Sequence, residues 1–249
     1  MPSNYLFVFA RYTEDISWII DNPFIRDRCV IYNKNLVLDN QIKHSKLNVI
    51  NLSNDPKFAR ESGSYLNHII NEYNNISDYT IFSQASPFDH QKYFIELTRF
   101  CINNKLFKDF QPLTYCWKLQ SQVPPLNHIL YDKSEYIDRY PIYMEILSNA
   151  LETISYTDTG MIRILNSFME YHKIINKTDM LKYIYDRLKI KAPYANYIKF
   201  NYGGIFGVAK NNILQHSLDY YKMLLDFVNE HWTHGFIMER FWYTIFNKY

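Results

Sequence analysis

The groups in this sequence best suited to chemistry recur in one setting, directly after an apolar run. Arg11 follows Tyr5 to Ala10, Asn33 and Lys34 follow Cys29 to Tyr32, and Asp55 and Arg60 lie beyond Leu47 to Leu52. Gln84 and Asp89 follow Tyr79 to Phe82, where Pro87 ends strand pairing and Asp89 is placed to cap a helix from about Asp89 to Asn103. Arginine and lysine side chains of this kind suit phosphate oxygens. The Arg60-Glu61 pair, at the start of a helical pattern, adds backbone N–H groups and a favourable dipole for an anion. The same residues also have a purely structural reading: Arg11 in a surface ion pair with Glu14 or Asp15, Lys34 solvated, and Asp89 only a cap.

The runs that position these groups are β-branched or aromatic, and they alternate with helical patterns. Tyr65, Leu66, Ile69, Ile70 and Tyr73 fall at helical spacing, with Ser62 or Ser64 as candidate caps. Strand followed by helix, repeated, predicts a doubly wound, mostly parallel sheet with helices on both faces. In such a sheet the carboxyl ends of the strands share one edge, and ligands bind beyond that edge. Residues 105–199 differ. Prolines punctuate loops there and helical patterns run near 140–155, 160–175 and 178–189, which reads as a helical insertion or lid. The stretch from Phe200 to Lys210 returns to a β pattern with three glycines, and two helices follow, near 217–230 and 236–247.

Composition narrows the function. The 249 residues are 47% hydrophobic and 18% aromatic, ample for a core, and the net charge of +2 lacks the single-signed field of a nucleic-acid binder. Twenty-three Tyr against six Gly, with many Asn, Ile and Lys, match the codon bias of an AT-rich genome, viral or cellular. Cys29, Cys101 and Cys116 have neither CxxC spacing nor an even count, which fits a reducing compartment. No stretch reads as a secretory leader or a membrane span, so a soluble, cytoplasmic protein is expected. GxGxxG, the Walker loop and GxSxG are absent. His231 and His234 have the i, i+3 spacing of a metal pair, without a nearby HExxH to strengthen it.

Ala59-Arg60-Glu61, Tyr65-Leu66, Ile69-Ile70, Tyr73, Asp78 and Phe82-Ser83-Gln84 together resemble an uncharacterised domain family with GT-A-like glycosyltransferase character, found in cellular and large-virus genomes. Tyr202 to Lys210, Ile213-Leu214, Tyr220-Tyr221 and Glu239 to Phe246 resemble its carboxyl half. The likeness covers residues 5–100 and 200–247. Ala59 replaces a glycine, Ile76-Ser77 replaces Leu-Pro, and Ala85 stands where glycine is usual.

The resemblance implies one GT-A-like domain over 1–249, with a donor-nucleotide half (1–104), the insertion (105–199) and an acceptor half (200–249). It implies sugar transfer from a nucleotide-diphosphate sugar to a hydroxyl of a glycan, protein or lipid. Arg11, Asn33, Lys34, Arg60, Glu61, Gln84, Lys210 and Arg240 would hold the donor, and Asp89 or Glu239 would act as base. Where such enzymes carry Asp-x-Asp for a divalent ion, this chain has Gln84-Ala85-Ser86. Lys210 or Arg240 would then neutralise the leaving diphosphate in place of a metal, with manganese or magnesium at Asp89 and His90 as the alternative. Arg11 and Arg60 are expected at the surface, removable with little loss of folding stability. Two other readings stand beside this one: a non-catalytic carbohydrate- or protein-binding module on the same fold, and a hydrolase using Asp89 and Glu239 about 5 to 9.5 Å apart.

Overall fold

The computed structural model describes residues 4–35, 40–44, 46–52, 59–114, 143–145, 159–191, 198–200 and 202–247. Asp55 and Cys116 lie outside them, as does the expected helix at 140–155 apart from Tyr143–Glu145.

Six strands form one mixed sheet: β1 (Tyr5–Arg11), β2 (Cys29–Asn33), β3 (Asn48–Asn51), β4 (Tyr79–Gln84), β5 (Phe110–Pro112) and β8 (Phe206–Ala209), in the order β3-β2-β1-β4-β8-β5. The first four are mutually parallel, as expected, and β8 is antiparallel to both β4 and β5. A separate antiparallel pair joins β6 (Tyr143–Glu145) to β7 (Ile198–Phe200), where a helical pattern had been expected for the first segment. Three residues of extended backbone paired to a distant strand override the local helical spacing there.

Strand β1 reads as a continuous apolar run because both of its faces are covered. Val8 and Ala10 pack into the cluster that includes Tyr65, Leu66 and Ile69 of α4 (Arg60–Asn71). That cluster also holds Leu224 and Phe227 of α9 (Leu218–Glu230) and Phe241 and Trp242 of α10 (His234–Phe246). Phe7 and Phe9 point the other way. They pack with Ile19 of α1 (Ser17–Ile20), Ile25 of α2 (Pro23–Arg26), Ile42 of α3 (Asn40–His44), and Phe94 and Leu97 of α5 (Phe94–Asn104). Helices α6 (Thr159–Tyr171) and α7 (Lys177–Arg187) add Leu165, Phe168, Met180, Leu181 and Ile184 to the first cluster, and the short α8 (Lys210–Ile213) adds Ile213.

Several boundaries depart from the sequence expectation. Helix α4 begins at Arg60 after Ala59, with no side-chain cap, while Ser62 and Ser64 are buried inside its first turns. Asp89 does not cap α5: it ends a 3-10 turn, Pro87–Asp89, and α5 starts at Phe94. By contrast Ser217 does cap α9, its hydroxyl accepting the Tyr220 N–H at 3.3 Å.

Candidate functional site

The strand order reverses between β1 and β4: β2 and β3 build outward on one side of β1, and β4 lies on the other. Such a switch point leaves a crevice beyond the strands' carboxyl ends. A cleft of about 290 Å³ opens there, lined by Ala10, Arg11, Tyr12, Glu14, Lys34, Arg60, Glu61 and Gln84.

Arg11, on one wall of this cleft, begins a polar ladder across three strand ends. Arg11, Asn33 and Asn51 are register partners on β1, β2 and β3. Arg11 Nη1 donates to Asn33 Oδ1 at 3.1 Å, and Asn33 Nδ2 donates to Asn51 Oδ1 at 3.1 Å and to Asn35 O at 3.0 Å. Arg11 Nε donates to the backbone oxygen of Glu14 at 2.9 Å. The Glu14 carboxylate turns back and accepts the N–H groups of Tyr12 and Thr13 at 2.6 and 3.1 Å. Arg11 is only 2% exposed. This buried position departs from the surface position expected for Arg11. Lys34 is likewise buried, with its ammonium donating to the Arg60 backbone oxygen.

That contact leads to the second wall. Arg60 has φ of 52°, a left-handed conformation costly for a side chain with a Cβ. Its guanidinium stacks on Phe236, 4.0 Å from the ring centroid, and reaches Glu61 Oε2 at 3.4 Å and Glu239 Oε2 at 3.8 Å. Arg240 Nη1 also lies 3.8 Å from Glu239 Oε2 and 3.4 Å from Phe236 O, to which it donates. Glu239 Oε1 accepts the Gly203 N–H at 3.0 Å. A Cβ on Gly204 would stand 3.5 Å from Glu61 Oε1 and 3.6 Å from Glu239 Cγ, so α4 and α10 bring both carboxylates to one glycine. Glu61, Glu239 and Arg240 are all buried.

Two further groups adjoin this cluster. A Cβ on Gly203 would stand 2.9 Å from His90 Cγ, so the His90 imidazole packs against the glycine that holds Glu239. Tyr65, one turn beyond Glu61, is fully buried, and its hydroxyl has no hydrogen-bond partner among the described residues. Burial, then the Glu61 and Glu239 charges, raise its pKa well above the ordinary tyrosine value, which keeps a proton on it. The sequence marks Tyr65 only as a helical core position, and nothing in its spacing signals a polar role.

Not every expected residue belongs here. Lys210 follows β8, which runs against β4, and its N–H donates to Asp78 O just before β4 begins. This places Lys210 at the opposite edge of the sheet. Gln84 does line the cleft, its amide donating to Ser86 O at 3.0 Å. Asp89 is exposed in its turn. His231 and His234 have separate hydrogen-bond partners: His231 Nδ1 lies 2.8 Å from Thr233 Oγ1, whereas His234 Nδ1 is engaged by Phe227 O and His234 Nε2 by His172. Among the described residues no three His, Cys, Asp or Glu side chains stand together as a metal-holding group.

The chain is therefore an α/β protein with a six-stranded, mostly parallel sheet and a charged cleft at its switch point. A scan against protein-family models finds no match, and searches of curated proteins and of solved structures find none either. No helix among the described residues is long and apolar enough to cross a membrane.

Proposed function

We propose that the chain is a glycosyltransferase with a GT-A-like fold, moving a sugar from a nucleotide-diphosphate sugar to a hydroxyl acceptor. The observation that carries this reading is the convergence of Arg60 and Arg240 on Glu239, beside the cleft at the β1/β4 switch point. A diphosphate in the cleft would meet Arg60 and the Arg11 wall, with the backbone of Gly203 and Gly204 close to the reacting centre. Glu239 takes the proton of the acceptor hydroxyl, whose oxygen bonds to the anomeric carbon as the bond to the diphosphate breaks. The diphosphate leaves with the electron pair, and Arg60 and Arg240 meet its charge. Glu61 holds Arg60 in place, and the exposed Asp89 becomes the lesser candidate for base. Free, buried Cys29 and Cys101 thiols suit a cytoplasmic location.

Gln84 supplies an amide where an Asp-x-Asp ion site would need carboxylates, so this reading assigns charge neutralisation to the arginines. Manganese or magnesium near Asp89 and His90 is the competing assignment. The test is a transfer assay of Glu239→Gln and Arg240→Ala beside the unmodified chain, with and without chelator. Glu239→Gln keeps an acceptor for the Gly203 N–H and should cut turnover about a hundredfold or more with donor affinity unchanged. Transfer should survive chelation and be lost in Arg240→Ala. Transfer abolished by chelator and restored by manganese, with Arg240→Ala active, would overturn the metal-free assignment. Binding of donor without any transfer would identify a non-catalytic carbohydrate-binding module.

A further inference from the structure

Helices α6 and α7 meet the amino end of α10 through a chain of hydrogen bonds whose protons follow from what each partner can accept. His234 Nδ1 lies 2.6 Å from Phe227 O, and a carbonyl only accepts, so Nδ1 carries the hydrogen. In a neutral imidazole this leaves His234 Nε2 a lone pair, 2.8 Å from His172 Nε2, which must therefore be the donor. His172 Nδ1 is then an acceptor, and the Tyr183 hydroxyl donates to it at 2.7 Å. Arg187 of the same helix pairs with Glu230 at 2.5 Å. The two imidazoles lie within 8° of parallel with centroids 5.0 Å apart, and Phe227 stacks on His234 at 4.1 Å.

We propose that the His172–His234 pair is an acid-sensitive latch: it fastens α6 and α7 to the amino end of α10 at neutral pH, and acidification releases them. Helix α10 carries Glu239 and Arg240, so the latch governs how the site helix is held, whatever reaction the site performs. The pair accommodates one added proton by making His172 Nδ1 a donor to the Tyr183 oxygen. A second added proton sets N–H against N–H across 2.8 Å, which no tautomer relieves. Separated imidazoles take up both protons below their ordinary value near 6.5. Each proton withheld by the docked form therefore favours release tenfold per pH unit.

The surroundings support this direction. Burial, as the largest cause, pushes His234 down to about 4 and lowers His172 as well. Glu230 opposes the shift of both. Arg187 and His231 reinforce that of His172, and His172 and His231 reinforce that of His234. Tyr171 stacks on His231 at 4.2 Å and donates to Glu230 at 3.5 Å, completing the ring of polar groups around the pair.

Two measurements on the full chain test the latch. Histidine nitrogen NMR at pH 7.5 should show His234 as the Nδ1–H tautomer and His172 as the Nε2–H tautomer, with His234 neutral down to about pH 5. Hydrogen exchange of 159–191, corrected for the intrinsic pH dependence of exchange, should rise about sevenfold or more above that of α4 between pH 6 and 5. Tyr183→Phe should move this rise to higher pH, and His172→Gln, which keeps a donor to His234 while removing one titrating group, should make it shallower. The opposite tautomers, independent titration of both histidines near 6.5, or uniform exchange across the chain at both pH values would each overturn the proposal. So would zinc at micromolar concentration shifting both Nε2 resonances, which would mark a metal pair instead.

Discussion

Glu239 Oε1 accepts the backbone N–H of Gly203 at 3.0 Å, which fixes one oxygen of the carboxylate and leaves the other between Arg60 and Arg240. Gly203 makes that hydrogen bond from φ of 71°, a conformation that glycine adopts without steric cost. The position of the carboxylate is thus set by a backbone conformation that disfavours a side chain.

Gly203→Ala meets two penalties, the left-handed φ and a Cβ 2.9 Å from His90 Cγ. Denaturant unfolding should show a loss of about 1 to 3 kcal/mol. In the double variant Gly203→Ala, His90→Ala the contact is relieved and the φ penalty stays, so only part of the loss should return. Full recovery in the double variant would show that the backbone conformation contributes nothing.

Arg11→Ala and Arg60→Ala should behave differently. Removing Arg11 strips buried partners from Asn33 Oδ1 and the Glu14 carbonyl and should cost about 1 to 3 kcal/mol. Arg60, whose side chain is 33% exposed, should cost under about 1 kcal/mol while weakening binding of a nucleotide diphosphate. Equal stability losses in the two variants would contradict the placement of Arg11 in the ladder.

His68 provides a pH-dependent stability term away from the cleft. Burial lowers it from its ordinary 6.5 to about 4, and its Nδ1 lies 3.2 Å from the Tyr32 hydroxyl. Because the folded value is the lower one, the unfolded chain binds the extra proton. The contribution is therefore complete above about pH 6.5 and is lost as pH falls from 6.5 to about 4. By pH 4.5 this single group should remove on the order of 2 to 3 kcal/mol, and His68→Gln should flatten the stability curve by that amount. An unchanged curve in the variant would assign the acid sensitivity elsewhere.

The parallel core was legible because each of its strands is an apolar run closing in a polar residue, a pattern that both-sided burial imposes on β1, β2 and β4. Strand direction was not legible. Nothing local tells Phe206–Ala209 to run against β4, and the wrong direction alone sends Lys210 to the wrong edge. The burial of Arg11 was hidden for a similar reason. Its partners are a loop carbonyl and a neighbouring strand's amide, neither visible until the strands are in register. Asp89 followed cap chemistry, which the 3-10 turn at Pro87 displaces by several residues. Glu61 and Glu239 were both singled out, yet their meeting at Gly204 depends on α4 and α10 packing on the same face of the sheet.

On the proposed function, the cleft at the β1/β4 switch point binds a nucleotide-diphosphate sugar. A thermal-shift panel of uridine, guanosine, cytidine and thymidine diphosphate sugars, run on the unmodified chain and on Arg60→Ala, tests it most directly. A cognate donor at 100 times its dissociation constant should stabilise the unmodified chain by about 2.7 kcal/mol, and Arg60→Ala should show a smaller shift at the same concentration. No shift with any donor, or a shift of equal size in Arg60→Ala, would contradict donor binding in this cleft.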